Sequence, residues 1–340
     1  MMPSPAIASV AAVRPAAARD AHGRVVDYRR VSVTDRCNER CFYCMPQGYA
    51  GWSHASDRLR AEEIVRMVAA AARIGVRKVR LTGGEPLLRA DLVEIAARIW
   101  QIPGIEALGI TTNGTLLAPL AARLRRAGVR SLNVSLDALD PELYRRITGG
   151  RIGPVLDGLE AARAADFEIV KLNCVLLRGL NENQLLGLAE FGARHGFPVR
   201  FIEMMPTAGS EGFASHHLTV AEAMRIFAAH DRLEPQPDAR LGHGPARYYR
   251  LARSGARIGF IGALTVEHFC ATCNKLRLTS DGKLRPCLGR VGELDALPAL
   301  RAGGDAPLAE AFAEALRHKP PAHEFGRCPG DGRPMTAIGG

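Results

Sequence analysis

Apolar positions along this chain alternate between two rhythms. Short runs rich in β-branched and aliphatic residues, at 28–33, 78–81, 107–112, 131–136, 168–176 and 199–203, read as strands. Between them, the stretches 61–73, 91–100, 116–127, 154–165 and 182–195 repeat apolar residues every three to four positions, the period of a helix with one buried face. The punctuation agrees: Asp91 and Asn181 can cap helix starts, while Gly75, Gly128 and Gly196 follow helix ends. Such alternation predicts a parallel sheet with right-handed crossovers. Six units are too few to close an eight-stranded barrel. The expected fold is therefore α/β, an incomplete (β/α)6 TIM-like barrel open on one side.

After Met205 the rhythm changes. Residues 206–217 read as loop, 220–229 as a helix, 247–251 and 257–261 as a hairpin around Ser254-Gly255, and 306–317 as a last amphipathic helix. Thr279-Ser280-Asp281-Gly282 is a turn sequence. The expected division is a disordered leader at 1–24, the barrel at 25–206, a C-terminal extension at 207–328, and a Gly-rich tail at 329–340. The leader is rich in Ala and Pro without a compact apolar core, which argues against a signal peptide. No window approaches the length of a membrane span. A cytoplasmic, reducing location is expected, where thiols serve metals or catalysis instead of disulfides.

Cysteine placement then sharpens the picture. Six of the eight cysteines form two triplets, Cys37-x3-Cys41-x2-Cys44 and Cys270-x2-Cys273-x13-Cys287. A four-iron cube takes four ligands, so a triplet with no fourth cysteine nearby leaves one iron open to a small molecule. Structural zinc is the competing use of such spacings: His268 could complete the second triplet, whereas no His lies inside the first. Cys174 and Cys328 read as inert thiols.

The net charge of +10 admits an anionic substrate, but the basic residues are spread along the chain without interleaved aromatics, which weakens a nucleic-acid reading. Arginine is the default cation; lysine occurs only at Lys78, Lys171, Lys275, Lys283 and Lys319, which makes those positions less arbitrary.

In parallel α/β sheets, ligands gather at the carboxyl ends of the strands. Here the first strand runs into the cysteine loop. The second ends at Thr82-Gly83-Gly84-Glu85-Pro86, the third at Thr111-Thr112-Asn113-Gly114, the fourth at Ser135-Leu136-Asp137 and the sixth at Glu203-Met204-Met205. The unusual residues thus fall on one rim. The Gly83-Gly84 pair is a plain turn or a place where backbone amides hold a carboxylate or amino-acid moiety.

With these residues on view, the cysteine loop with Tyr43, followed by Gly83-Gly84-Glu85-Pro86, resembles the radical S-adenosylmethionine (SAM) superfamily. The match narrows with Ser32-Val33-Thr34-Asp35-Arg36-Cys37-Asn38, Asn133-Val134-Ser135-Leu136-Asp137, Phe269-Cys270-Ala271-Thr272-Cys273-Asn274 and the Gly339-Gly340 terminus, which together resemble the GTP 3′,8-cyclase (MoaA) family of molybdenum-cofactor biosynthesis. The resemblance implies a partial barrel of the radical SAM type with a second Fe–S site in its extension. It also implies cyclisation of GTP to (8S)-3′,8-cyclo-7,8-dihydroguanosine 5′-triphosphate.

The resemblance further implies two [4Fe–4S] clusters, the first on Cys37, Cys41 and Cys44 with SAM on its open iron, the second on Cys270, Cys273 and Cys287 facing the guanine. It places SAM against Tyr43, Gly84, Ser135 and Met205. It places GTP against Arg30, Arg80, Thr111, Lys171, Lys275, Leu276 and Arg277, with Arg200 steering the radical step. Gly339 and Gly340 are expected to thread into the site. An external one-electron donor and the downstream cyclic pyranopterin monophosphate synthase are the implied partners, and no nucleic acid or membrane is expected. A homodimer is left open. The family often carries Arg where Lys275 stands. Two other readings remain at this point: radical chemistry on a peptide, and a zinc-stabilised RNA-binding protein.

Overall fold

The computed structural model describes residues 17–46, 48–207, 210, 212–239, 241–325 and 333–339. Six parallel strands form in chain order, β1 (Tyr28–Ser32), β2 (Lys78–Thr82), β3 (Ala107–Thr112), β4 (Ser131–Ser135), β5 (Ile169–Leu176) and β6 (Val199–Glu203). Their bounds fall within a residue or two of those read from the pattern. The extension adds β7 (Leu233–Pro235), β8 (Arg247–Leu251), β9 (Arg257–Ile261), β10 (Lys275–Leu278), β11 (Lys283–Arg285) and β12 (Leu294–Asp295). The sheet order is β12-β11-β10-β1-β2-β3-β4-β5-β6-β9-β8-β7.

The extension is therefore continuous with the barrel sheet. β10 pairs parallel with β1, and β9 pairs parallel with β6, so the six-strand core is flanked by two more parallel strands. Antiparallel hairpins then end the sheet on both sides, and β12 and β7 do not pair with each other. The barrel stays open, as expected, but it is built from both halves of the chain.

Alternation along the strands sorts the side chains by face. Val79, Leu81, Leu108, Ile110, Leu132, Val134 and Leu172 are fully or almost fully buried in the apolar layer with the helices Ala61–Arg73 and Leu92–Trp100. The helix Ala306–Arg317 covers β1 from outside, its Phe312 ring 4.2 Å from the Arg29 guanidinium. The opposite face, the lumen, is where the polar residues stand.

Three local expectations are corrected. Within 116–127 the helix forms only at Ala121–Arg126, because Pro119 breaks the preceding turns. A helix at Pro141–Thr148, started by Asp140 accepting from the Leu143 amide and ended by Gly149 at φ 70°, was not anticipated. Residues 17–24, assigned to a disordered leader, are instead ordered: Arg19 bridges to Val25, and Asp20 pairs with Arg24 at 2.6 Å. The rest of that leader, Cys328, Gly340 and the tail at 329–332 lie outside the described residues. Among the described residues no helix is long and apolar enough to cross a membrane.

Candidate functional site

The loop after β1 carries Cys37, Cys41 and Cys44 into a cavity that also receives the ends of β2, β3, β4 and β6. The loop is anchored from three sides. The Arg40 and Phe42 amides donate to the carbonyls of Thr148 and Ile147, and Tyr144 Oη donates to Glu39 at 2.8 Å. Asn113 Nδ2 donates to Asn38 Oδ1. The third anchor is the glycine pair: Gly84 N–H donates to Thr34 O and Glu85 N–H to Arg36 O. A Cβ on Gly84 would stand 2.2 Å from Arg36 O, so only glycine allows this approach.

The Gly84 and Glu85 amides are thus engaged by the cysteine loop, so the Gly84 amide is not free for the carboxylate that the sequence suggested. The surroundings are acidic. Glu85 accepts from Thr112 Oγ1 and the Asn113 and Leu87 amides, and burial pushes its carboxyl up to about 7. Burial also lifts Glu39 to about 7 and Asp137 to about 6, the latter accepting from Tyr43 Oη at 2.6 Å. The same burial, reinforced by these carboxylates, raises Cys37 to about 11 and Cys44 to about 12, and holds Cys41 well above its usual value. Such thiols become thiolates on binding a metal cation.

Below this rim the lumen is cationic. Strand register sets Arg30 beside Arg80 on one side and beside Arg277 on the other. Lys171 pairs with Asn133, and Arg200 with Asn173, whose Oδ1 accepts from Arg200 Nε at 2.9 Å. Arg80 lies across β3, donating to Tyr28 Oη, Ile110 O and Ser131 Oγ. It has room because position 109 is glycine, where a Cβ would stand 2.7 Å from Arg80 Nη2. Lys171 is 1% exposed and, among the described residues, its ammonium has no hydrogen-bond partner. Burial, with Arg200 and Arg80 nearby, holds it down to about 6. A site this rich in buried like charge is built for a polyanion.

The second triplet opens on the same cavity: Cys270, Cys273 and Cys287 share its wall with the first three cysteines. This set sits in basic surroundings. Burial opposes the Cys273 thiolate, but the Lys319 and Lys275 charges outweigh it and bring the thiol below its usual range. Arg24 ties the region down, donating to the carbonyls of Cys270, Pro320 and Pro321. The segment ending at Gly339 links the first set to the cation layer. Met335 N–H donates to Cys44 O, and Arg277 Nη1 donates to Gly339 O.

Of the residues expected here, Tyr43, Gly84, Ser135, Met205, Arg30, Thr111, Lys275, Arg277 and all six cluster cysteines line the cavity. Arg80, Lys171 and Arg200 face the lumen deeper in the barrel. Leu276 does not belong with them: alternation turns it to the opposite face of β10, where it is buried in the apolar core. Glu39, Asp137, Lys319 and His323 were missed as site residues. Asp137 stood in a quoted motif, but nothing local marks Lys319 or His323, which arrive from far along the chain.

All six cysteines are free thiols, and among the described residues no three ligating side chains converge on a single ion. A four-iron cube takes such a donor set, each cysteine binding its own iron.

Comparison with known proteins agrees with this geometry. Residues 31–192 match the model of the radical SAM superfamily, and residues 197–325 match the model described as Molybdenum Cofactor Synthesis C. The chain is 44% identical to a GTP 3′,8-cyclase of Pelotomaculum thermopropionicum over 95% of this chain and 100% of that one. It is likewise 44% identical to a GTP 3′,8-cyclase of Heliobacterium modesticaldum, over 94% and 99%. Among solved structures, Streptococcus suis SuiB bound to its precursor peptide SuiA is similar in fold, with a TM-score of 0.62 at 17% identity, covering 86% of this chain and 68% of that one.

Proposed function

This chain belongs to the GTP 3′,8-cyclase family within the radical SAM superfamily, and we propose that it performs the family's reaction in the single cavity joining its two cysteine triplets. The reaction cyclises GTP to (8S)-3′,8-cyclo-7,8-dihydroguanosine 5′-triphosphate and is the first step of molybdenum-cofactor biosynthesis. A [4Fe–4S] cluster and SAM come with membership. Cys37, Cys41 and Cys44 hold that cluster, and Cys270, Cys273 and Cys287 hold a second one. When bound, these groups supply electrons and a carbon radical able to remove a hydrogen from an unactivated C–H bond.

The chain's own residues do the rest. The Gly84 carbonyl takes the SAM ammonium, Tyr43 and Ser135 flank it, and Met205 gives the adenine an apolar face. The triphosphate lies on Arg30, Lys171, Lys275 and Arg277, with Arg80 and Thr111 beside it. Fork-shaped guanidinium groups fix phosphate oxygens in two directions at once, so the ribose is held in one pose. Arg200, oriented by Asn173, steers the sugar. The end of the chain at Gly339 completes the wall and keeps water from the reacting carbons. An external one-electron donor serves the clusters, the product passes to cyclic pyranopterin monophosphate synthase, and the unprotected thiols suit a cytoplasmic setting.

The observation that carries this reading is the shared cavity, with acidic thiol surroundings at one end, basic ones at the other and cations below. Reduced, iron-reconstituted protein given SAM and GTP should form 5′-deoxyadenosine and the cyclised nucleotide together. SAM cleavage indifferent to GTP, with no cyclised product, would overturn it.

A further inference from the structure

Lys319 follows the helix Ala306–Arg317 and returns to the second triplet. Its side chain is buried, the residue 3% exposed, and its ammonium donates to three acceptors: Cys273 Sγ at 3.4 Å, Lys275 O at 2.8 Å and Pro286 O at 2.9 Å. Two of these lie on the stretch carrying Cys273, and the third immediately precedes Cys287. One ammonium therefore spans both stretches that supply the triplet. Three convergent acceptors suit its three rotatable donors.

The charge needs a counterpart. Among the described residues no carboxylate makes an ion pair with Lys319, and a buried cation left without an anion is destabilising. The anion at hand is the thiolate set itself. The first triplet shows the opposite arrangement, with Glu39, Glu85 and Asp137 on its side of the cavity. Hydrogen bonds to cluster sulfurs and nearby positive charge stabilise the reduced, more negative form of an iron–sulfur site.

We propose that Lys319 is a positioning residue for the second iron–sulfur site, donating to the Cys273 sulfur and holding that site at a higher reduction potential than a neutral side chain would. The inference rests on the second triplet being an iron–sulfur site.

The test uses full-length protein with Cys37, Cys41 and Cys44 replaced by alanine, so that only the second site loads, with Lys319 intact or changed to Met or Arg. Iron and sulfide are counted first, and the potential is then measured by a redox titration followed by electron paramagnetic resonance. K319M should shift the midpoint to more negative potential, and K319R, which keeps the charge, should restore most of that shift. An unchanged midpoint in iron-replete K319M, or equal shifts in K319M and K319R, would overturn the inference. If K319M fails to hold iron, K319Q takes its place, a negative shift supporting the inference and none overturning it. Failure of the underlying reading is separately visible, as zinc or absent iron in the protein that keeps Lys319.

Discussion

The Arg277 guanidinium donates to the main-chain carbonyl of Gly339, so a cation of the lumen grips the end of the chain. Arg277 is two positions from Lys275 on β10, and Met335 at the other end of the same short segment bonds to Cys44. The tail thereby connects the first cysteine set to the cations of the lumen. At Gly339 φ is 80°, and a Cβ would stand 3.1 Å from Thr82 and 3.2 Å from Ser32, so a side chain there meets the wall.

Deleting Gly339 and Gly340 should leave folding and iron content unchanged while cutting cyclised product by about a hundredfold, the scale of losing a positioned wall. SAM cleavage should continue uncoupled. Assaying 5′-deoxyadenosine and product in one reaction checks this.

Lys171 predicts a proton uptake. Its folded value near 6 leaves it neutral at pH 7.5, and a triphosphate beside it restores the charge. Below pH 6 the free site is already charged and the contribution of Lys171 to the pH dependence ends. Above it, binding must bring a proton, so affinity declines as pH rises, by up to about tenfold per unit. Calorimetry in two buffers of different ionisation enthalpy should show wild type taking up roughly one proton more than K171Q.

Gly84→Ala tests the contact between the glycine turn and the cysteine loop. The added methyl collides with the Arg36 carbonyl, so the loop must shift at a cost of about 1–3 kcal/mol. Reduced iron retention and a lower melting temperature are expected; normal values for both would show that the approach tolerates a side chain.

Arg24→Ala removes a guanidinium that holds three carbonyls and leaves Asp20 buried without its cation. The cost should be about 3–5 kcal/mol, measured by denaturant unfolding, with D20N/R24A milder than R24A alone.

Much of this architecture was legible from the chain. Strands β1 to β6 emerge from alternation and length, because each is flanked by helices whose periods contrast with theirs. The cation layer was legible too, since Arg30, Arg80 and Lys171 sit mid-strand where a solvent face is scarce. What pairing distance hides is different. Four residues at Lys275–Leu278 give no local sign that they will lie beside Tyr28–Val31, 247 positions earlier in the chain. Leu276 was misplaced because a run was taken as a unit, although strand alternation puts its middle residue on the other face. Lys319 and Arg24 act through backbone carbonyls, and nothing in a sequence announces such partners.

The central claim, two open iron–sulfur sites on one cavity, is tested most directly by metal content linked to turnover. Anaerobically prepared wild type should hold about eight iron and eight sulfide per chain, two cubes of four. Replacing Cys270, Cys273 and Cys287 with alanine should bring this to about four, keep SAM cleavage and abolish the cyclised nucleotide. Zinc in place of iron at the second triplet, or full product formation by that variant, would contradict the account.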